Sequence, residues 1–323
     1  MESCPECAAP VSSQDRFCEA CGRNLRVQRT PVGGPGSPAA ARCPCGGAEF
    51  DEDGFCARCG RVRPAGRDRA EFSFPGVAGV TDRGRRRARN EDSLAFGRVR
   101  KRGVVAAVVC DGVASSERAE QASQLAVDTA LDVLLTAMQS GGDPEQATVD
   151  AVLAADAAVS RLARAEAADV APSCTYVSVV LTEETATVGW VGDSRAYLVG
   201  EAGATRLTTD DTWAAQLVAD GVITAEEALT DRRAHVLSRW LGADSGLEAP
   251  RTMTFRVETP SLLVLCSDGL WNYLPEPEDL LEVLPRGVPP VEVARELVEV
   301  ALKSGGHDNI TVVVVQLRGG NGA

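Results

Sequence analysis

The sequence lacks several features that would assign it to common classes of protein. No apolar run approaches the roughly 18 residues needed to span a bilayer, so we expect no membrane partner. The amino terminus, MESCPECAAP, has no basic segment followed by an apolar one, which predicts the absence of a signal peptide. Net positive charge is also missing, since the formal charge of −13 argues against a nucleic-acid-coating protein. Together these absences predict a cytoplasmic protein.

What the chain does have is length and apolar content. Its 323 residues exceed a typical single domain, and 44% hydrophobic residues suffice for a sizeable core. Composition changes along the chain predict five parts. These are a first zinc ribbon (1–25), a linker (26–41), a second zinc ribbon (42–62), a second linker (63–72) and one large domain (73–318).

The two ribbons are predicted from cysteine spacing. Eight of the eleven cysteines form two tetrads with similar spacing: Cys4, Cys7, Cys18 and Cys21, then Cys43, Cys45, Cys56 and Cys59. Four thiolates close a tetrahedral structural zinc site, and paired cysteines about two residues apart can reach one ion. A cytosolic chain disfavours disulfides. The sequence therefore predicts two structural Zn²⁺ ions, although the single residue between Cys43 and Cys45 departs from the usual spacing.

The segments around the second ribbon have little to bury. RTPVGGPGSPAAAR is rich in Pro, Gly and Ala, and RVRPAGRDRAEF is polar and rich in arginine. Such compositions are typical of linkers. We therefore expect loosely tethered ribbons, and we expect a chain starting near Glu71 to fold and stay active.

The large domain alternates apolar strands with helical patterns. Consecutive strand-like runs read as antiparallel, and helical runs show apolar residues at helical spacing. A helical segment capped by Thr and Asp is predicted over 209–235. The arrangement predicts packed sheets covered by helices. The main elements are helices 117–139, 144–167, 277–284 and 290–303, and strands 103–110, 174–182, 185–192, 195–199, 261–267 and 310–317.

Two of the buried strands end in the same way, with an apolar run, a cysteine and an Asp-Gly pair: GVVAAVVCDG and LLVLCSDGL. One Asp-Gly pair alone is most simply a turn. Here, however, helical patterns follow, and further carboxylates flank apolar strands. Clustered carboxylates select hard cations such as Mg²⁺ or Mn²⁺, and two such ions about 3.5–4 Å apart can bind phosphate and activate water. The carboxylates are Glu91, Asp92, Asp111, Asp193, Asp268 and Asp308.

These motifs resemble, in order, those of the metal-dependent serine/threonine protein phosphatases (the PPM, or protein phosphatase 2C, family). The matching motifs run from about residue 76 to 317: TDRGRRRARNEDS, VVCDGV, VGWVGDSRAYLV, LTTDDT, HVLSRWLG, LLVLCSDGL and HDNITVVVV. The resemblance implies a four-layer α-β-β-α sandwich of two antiparallel sheets. It also implies hydrolysis of phosphoserine or phosphothreonine in proteins by a water that two Mn²⁺ or Mg²⁺ ions activate.

The resemblance also assigns roles to individual residues. Asp111 is expected to bridge both metals, and Gly112 to offer its backbone carbonyl to one of them. Asp268 and Asp308 are expected to ligate the other metal. The remaining assignments are Glu91 acting through a water, Asp92 beside it, and Asp193 at a third, weaker metal.

Arg87, four residues before Glu91, matches the arginine that holds substrate phosphate. A planar guanidinium fork pairs bidentately with phosphate oxygens. The neighbouring arginines of RGRRRAR are read as a solvated basic run. Arg87 and Asp111 are thus the expected catalytic residues.

One loop departs from the family pattern. The residues after Asp111 read DGVASSERAE, and Ser116 stands where the family commonly has a histidine that has been suggested as general acid. The departure supports an alternative reading as a pseudophosphatase or phosphoprotein-binding scaffold.

A third reading is a zinc-ribbon nucleic-acid binder that the large domain regulates. Residues 1–70 hold 10 basic and 9 acidic residues, a difference of +1 that gives it little support. The expected partners are therefore phosphorylated proteins, with a Ser/Thr kinase or its substrates among them.

Overall fold

The computed structural model describes residues 2–3, 9–12, 15, 17–21, 25–34, 48–50, 56–58, 66–163, 171–230, 236–247 and 249–318. Within these residues the strands are β1 Glu2–Ser3, β2 Pro10–Val11, β3 Val27–Arg29, β4 Arg69–Phe74, β5 Val77–Asp82, β6 Ser93–Val99, β7 Val104–Cys110, β8 Ser173–Cys174, β9 Tyr176–Leu181, β10 Thr185–Val191, β11 Arg195–Gly200, β12 Gly203–Arg206, β13 Leu241–Gly242, β14 Arg251–Arg256, β15 Ser261–Cys266 and β16 Ile310–Leu317. The α-helices are α1 Ala119–Ser140, α2 Pro144–Ser160, α3 Trp213–Ala219, α4 Ala225–Thr230, α5 Asp268–Trp271, α6 Pro277–Val283 and α7 Pro290–Lys303, and a 3₁₀ turn spans Arg100–Arg102.

Two six-stranded antiparallel sheets form the centre of the molecule. The first has the order β14-β10-β9-β7-β6-β3, and the second has the order β12-β11-β15-β16-β5-β4. Their inner faces share one apolar core that includes Phe96, Val179 and Leu263. All seven residues of β7 are buried because this strand is covered on both faces. This double burial explains its continuous apolar sequence.

Helices cover the outer face of each sheet. On the first sheet, α1 and α2 pack through residues such as Leu131 and Val152. On the second sheet, α7 packs through Leu297 and Val298. The predicted arrangement of two antiparallel sheets between helical layers is therefore confirmed. None of the helices in the described part of the chain is both long and apolar enough to cross a membrane.

The helical elements largely follow the predicted boundaries. The second predicted helix is shorter than expected, because α2 ends at Ser160. In the predicted helical segment 209–235, the side chain of Thr212 accepts a hydrogen bond from the Ala215 amide at 3.2 Å and caps α3, as expected. The edge strand β14 is exposed or partly exposed at every position and was not predicted.

The linker predictions are wrong where the structure describes those segments. Val27–Arg29, within the predicted linker 26–41, pairs with β6 at the edge of the first sheet. Arg69–Phe74 overlaps the predicted linker 63–72 and pairs with β5 at the edge of the second. Both are edge strands, where one side faces water and polar residues are tolerated. The sheet thus begins before residue 73, and the segments are anchored.

The predicted zinc ligands fall mostly outside the described residues. This holds for Cys4, Cys7, Cys43, Cys45 and Cys59. Of the others, Cys18 and Cys56 are buried and Cys21 is exposed. The two zinc sites therefore stay predictions.

Candidate active site

The predicted carboxylates lie at one end of the sandwich because of strand register. In the first sheet Ser93 pairs with Cys110, so Asp92 and Asp111 extend from neighbouring strand ends. In the second sheet Cys266 pairs with Val312, which brings Asp268 beside the residues that precede β16. Antiparallel pairing places the end of one strand next to the start of its neighbour. Carboxylates from both sheets consequently meet at a single edge.

The glycines of the two Asp-Gly pairs permit this close approach. A Cβ atom on Gly269 would lie 1.8 Å from the carbonyl oxygen of Asn309. A Cβ atom on Gly112 would lie 2.7 Å from the Ala119 carbonyl oxygen and 2.8 Å from that of Glu91. Neither space admits a side chain. The two pairs therefore serve close packing of backbone at the carboxylate edge, and not hairpin turns.

Burial and mutual repulsion disfavour ionisation of the clustered carboxylates. Burial raises the pKa of Asp92 to about 6 and that of Asp193 to about 7. The pKa of Asp111 is raised well above its usual range by burial and then by the charge of Asp92. That of Asp268 is raised in the same way, by burial and then by Asp193. The cluster therefore favours a neutralising positive charge.

Two carboxylate oxygens in this cluster are buried and have no hydrogen-bond partner, Oδ1 of Asp92 and Oδ1 of Asp268. A buried acceptor without a partner is costly, and an oxygen-rich set suits hard divalent cations. Among the described residues no three His, Cys, Asp or Glu side chains already converge as a finished ligand set. The carboxylates are near enough to repel one another but form an open set. Their chemistry fits Mn²⁺ or Mg²⁺.

Ser267 orients Asp92, a role that the sequence analysis missed. Its hydroxyl donates to Asp92 Oδ2 at 2.7 Å and accepts from the Thr311 amide at 3.0 Å. Ser267 is fully buried and directly precedes Asp268. Ser267 thereby ties Asp92, at a strand end of the first sheet, to the strand ends of the second sheet.

Asn309 also positions the site and was not predicted. Its Oδ1 accepts from the Glu91 amide at 2.8 Å, and its Nδ2 donates to the carbonyls of Arg83 and Arg89, each at 2.8 Å. The side chain therefore ties the arginine-rich loop and Glu91 to the start of β16. The only sequence signal is its position next to Asp308.

Burial and the nearby Asp308 carboxylate raise the pKa of Glu91, although the Arg87 charge opposes the shift.

Arg87, the predicted phosphate-binding side chain, lies beside the carboxylate cluster. Its Nη2 donates to Asp308 Oδ2 at 2.5 Å, and 38% of the side chain is exposed. This hydrogen bond is the main cause that raises the pKa of Arg87. A half-exposed guanidinium beside a predicted metal ligand retains donors for a ligand that arrives from solvent.

The altered loop engages Ser116 with backbone groups. Its hydroxyl donates to the Val113 carbonyl at 2.7 Å and accepts from the Ser173 amide at 3.3 Å. Ser116 therefore stabilises a turn. Nearby, Arg118 occupies the N-cap position of α1 in a left-handed conformation with φ of 57°, without a capping hydrogen bond from its side chain.

A buried ion pair supports the turn that carries Asp193. Arg195 donates to both carboxylate oxygens of Asp210, at 3.0 and 2.7 Å, and lies 3.7 Å from the ring centroid of Trp271. The Trp271 indole in turn donates to the Asp193 carbonyl at 2.9 Å. Bidentate pairing and stacking fix a guanidinium in one geometry, so the Asp193 turn is rigidly held.

The raised pKa values predict how the stability of metal-free protein depends on pH. A carboxylate whose pKa is higher in the folded state stabilises the fold at low pH, and this stability is lost as pH rises through the folded pKa. With an ordinary pKa of 3.8 and folded pKa values of about 6 for Asp92 and about 7 for Asp193, the loss begins at about pH 4 and is complete at about pH 7, so a scan from about pH 5 to 8 covers its upper part. We expect a loss on the order of 3 kcal/mol. At 2–4 °C per kcal/mol for a large domain, Tm should fall by about 10 °C.

Differential scanning calorimetry in EDTA measures this effect. Added Mn²⁺ should raise Tm more at pH 8 than at pH 5. Asp92→Asn should reduce the decrease of the metal-free Tm with rising pH. Glu278→Gln, an exposed carboxylate on α6, is the control and should leave the profile unchanged. A level metal-free Tm from pH 5 to 8 would contradict the repulsion.

Comparison with known proteins matches residues 81–303 to the family described as protein phosphatase 2C. Serine/threonine protein phosphatase PstP of Mycobacterium tuberculosis is 34% identical over 242 residues, which cover 74% of this chain and 44% of that protein. Serine/threonine phosphatase stp of Listeria innocua is 31% identical over 239 residues, which cover 73% of this chain and 93% of that protein. The chain thus spans less than half of the first relative and nearly all of the second.

A solved structure is similar over the same region. The catalytic domain of PstP in complex with two manganese ions is 32% identical, with a TM-score of 0.59. The match covers 75% of this chain and 97% of that one. The ordered motifs, the fold and these matches agree, and the chain belongs to the protein phosphatase 2C family.

Proposed function

We propose that this protein is a metal-dependent phosphatase that hydrolyses phosphoserine and phosphothreonine in proteins. The observation that carries the proposal is the edge where carboxylates from both sheets meet, with two buried oxygens that have no hydrogen-bond partner. The relatives named serine/threonine phosphatases support the same reaction.

The donors for two Mn²⁺ or Mg²⁺ ions are present in this chain. Asp111 would serve both ions, the Gly112 carbonyl would serve one of them, and Asp268 and Asp308 would serve the other. Glu91 and Asp92 would support the pair, and Asp193 would serve a third, weaker ion. The structure of the PstP catalytic domain with two manganese ions supports a site for two ions. When bound, two such ions supply an activated water and neutralise charge on phosphate.

The chain's own side chains bind and orient the substrate. Arg87 binds the equatorial phosphate oxygens through its guanidinium fork. Asn309 holds the loop that carries Arg87, and Ser267 fixes Asp92. Positioning of this kind accounts for most catalysis of phosphoryl transfer.

Hydrolysis of a phosphothreonine peptide tests the proposal. Turnover should require added Mn²⁺ or Mg²⁺, and EDTA should abolish it. Turnover that chelation leaves unchanged would contradict a metal-dependent reaction. The altered loop of residues 113–119 favours one alternative, a phosphoprotein-binding scaffold. In that case the peptide would bind in the presence of Mn²⁺ without release of phosphate.

Replacement of Arg87 tests its phosphate-binding role. Because the guanidinium contacts phosphate in ground and transition states alike, Arg87→Ala should raise KM with a smaller change in kcat. Loss of charged hydrogen bonds worth about 1.5–3 kcal/mol corresponds to a KM increase of about tenfold to a hundredfold. Arg86→Ala, at an exposed neighbouring position, is the matched control. An unchanged KM in Arg87→Ala would exclude the role.

The amino-terminal region is proposed to hold two structural Zn²⁺ ions in two ribbons. The support is the repeated cysteine spacing, which suits two closed thiolate sites. Elemental analysis of the purified full chain should find about two Zn²⁺ per molecule. The double substitution Cys4→Ser and Cys7→Ser should remove the Zn²⁺ ion of the first ribbon and leave that of the second. A zinc-free chain would refute the ribbons and leave the phosphatase proposal untouched.

A further inference from the structure

Arg67 is an unusual contributor to the catalytic edge because it precedes the region that matches the family, residues 81–303. It lies in the segment where the sequence predicted a linker. Only 18% of its side chain is exposed. Its guanidinium is inserted between the segment that carries Glu91 and Asp92 and the start of α1.

On one side Arg67 contacts the predicted metal-binding segment. Its Nη2 donates to Ser93 Oγ at 2.8 Å and, more weakly, to the Asp92 carbonyl at 3.4 Å. The Asn90 side chain donates back to the Arg67 carbonyl at 3.0 Å. The backbone on both sides of Glu91 and Asp92 is thus attached to one residue.

On the other side Arg67 contacts α1. Its Nε lies 3.1 Å from Glu120 Oε1, and its Nη1 donates to Gln124 Oε1 at 2.8 Å. Glu120 directly follows Ala119, whose carbonyl closes the space around Gly112. Arg67 therefore joins two segments that flank the Asp111–Gly112 strand end.

Gln124 extends the network to the amino-terminal strand. Its Nε2 donates to Asp128 Oδ2 at 2.9 Å. Asp128 also accepts from Arg29 Nη2 at 2.9 Å and from the Gly33 amide at 2.8 Å. Hydrogen bonds consequently run without interruption from the residues around β3 to the Asp92 segment.

We propose that Arg67 is a positioning residue that sets the affinity of the catalytic edge for divalent cations. The inference rests on the proposed function for the identity of the metal-binding residues. Groups that orient metal ligands change metal affinity when they are removed, by about 10- to 100-fold. Direct charge repulsion between Arg67 and a cation is offset, because Glu120 pairs with the guanidinium. Removal of Arg67 should therefore weaken binding of divalent cations, because misplacement of the metal-binding residues has a larger effect than the lost repulsion between Arg67 and the cation.

Two substitutions separate position from charge. Arg67→Lys keeps the positive charge but removes the planar fork, and Arg67→Ala removes both. Isothermal titration with Mn²⁺ alone should show Kd raised about tenfold in each variant. With phosphothreonine peptide at saturating Mn²⁺, KM should stay near the wild-type value. The control is Arg295→Ala, which removes a 2.7 Å ion pair between α7 and Glu71 on β4, away from the cluster.

The outcomes are distinguishable from failure of the proposed function. Wild-type Mn²⁺ affinity in folded Arg67→Lys, with the native thermal transition, would overturn the positioning role. If Arg67→Ala does not fold, Gln124→Ala serves instead, since it removes one acceptor of Arg67, and it should raise the Mn²⁺ Kd in the same direction. A wild-type chain that binds Mn²⁺ but releases no phosphate would refute the phosphatase proposal only. The shift in Kd would still test Arg67.

Discussion

Asp111→Asn should abolish phosphatase activity and at the same time raise the Tm of the metal-free protein. The substitution is isosteric, so it removes charge at the end of β7 without opening a cavity. In the proposed site Asp111 would serve both cations, and metal ions of this kind stabilise transition-state charge by several kcal/mol. A loss of about 4 kcal/mol corresponds to a decrease of about 10³-fold in kcat/KM.

The rise in the Tm of the metal-free protein follows from removal of the Asp111 carboxylate charge. Burial and the neighbouring Asp92 raise the pKa of Asp111, so its ionised form destabilises the folded metal-free state near pH 8. An amide does not ionise, and the repulsion with its neighbours disappears. The two measurements are steady-state hydrolysis with added Mn²⁺ and calorimetry in EDTA at pH 8.

Asp150→Asn provides a matched control for this prediction. It makes the same chemical change at an exposed position on α2 and should alter neither quantity. If Asp111→Asn lowered the metal-free Tm, the carboxylate would be stabilising and the repulsion inferred for the cluster would be wrong.

A chain that starts at residue 71 should lose most of its activity, contrary to the expectation from composition. The truncation removes Arg69 and Ala70 from β4 and deletes Arg67. It also removes β3 from the edge of the first sheet. Loss of Arg67 alone should weaken metal binding about tenfold, and exposure of two strand edges should lower the Tm further.

A chain that starts at residue 25 is the control, because it removes the first cysteine tetrad and keeps β3, β4 and Arg67. It should retain turnover of a small aryl phosphate. The measurements are turnover over a range of Mn²⁺ concentrations and the thermal transition of each chain. Full activity with native Tm in the chain from residue 71 would support the original expectation that the large domain folds and works without the preceding segments.

The sequence predicted those parts of the site that depend on local pattern. Asp111 and Asp268 follow long buried strands, and burial on two faces leaves an unmistakable apolar run. Asp-Gly after such a run marks a strand end where backbone must approach closely. That these strand ends meet at one edge follows from the antiparallel register, which the structure supplies.

Residues that act over long sequence distances could not be predicted in this way. Asn309 contacts Glu91 and Arg89, more than 200 positions earlier in the chain. Arg67 reads as one more arginine in a polar stretch, and its role depends on Gln124 and Ser93 lying beside it. Edge strands such as β3 are short and half exposed, so their composition resembles that of a linker.

For the proposed phosphatase reaction, the turn formed by Ser116 bears on how the alcohol departs from phosphorus. The single proton of its hydroxyl is donated to the Val113 carbonyl, and its oxygen accepts from the Ser173 amide, so this side chain offers no acid to the departing oxygen. Without an acid from this position, more of the charge that builds on that oxygen stays on the alcohol. A plot of log kcat/KM against the acidity of the leaving group should accordingly be steep. Phenolic esters of phosphate would be cleaved far faster than alkyl esters, and bond cleavage, rather than product release, would limit the slow ones.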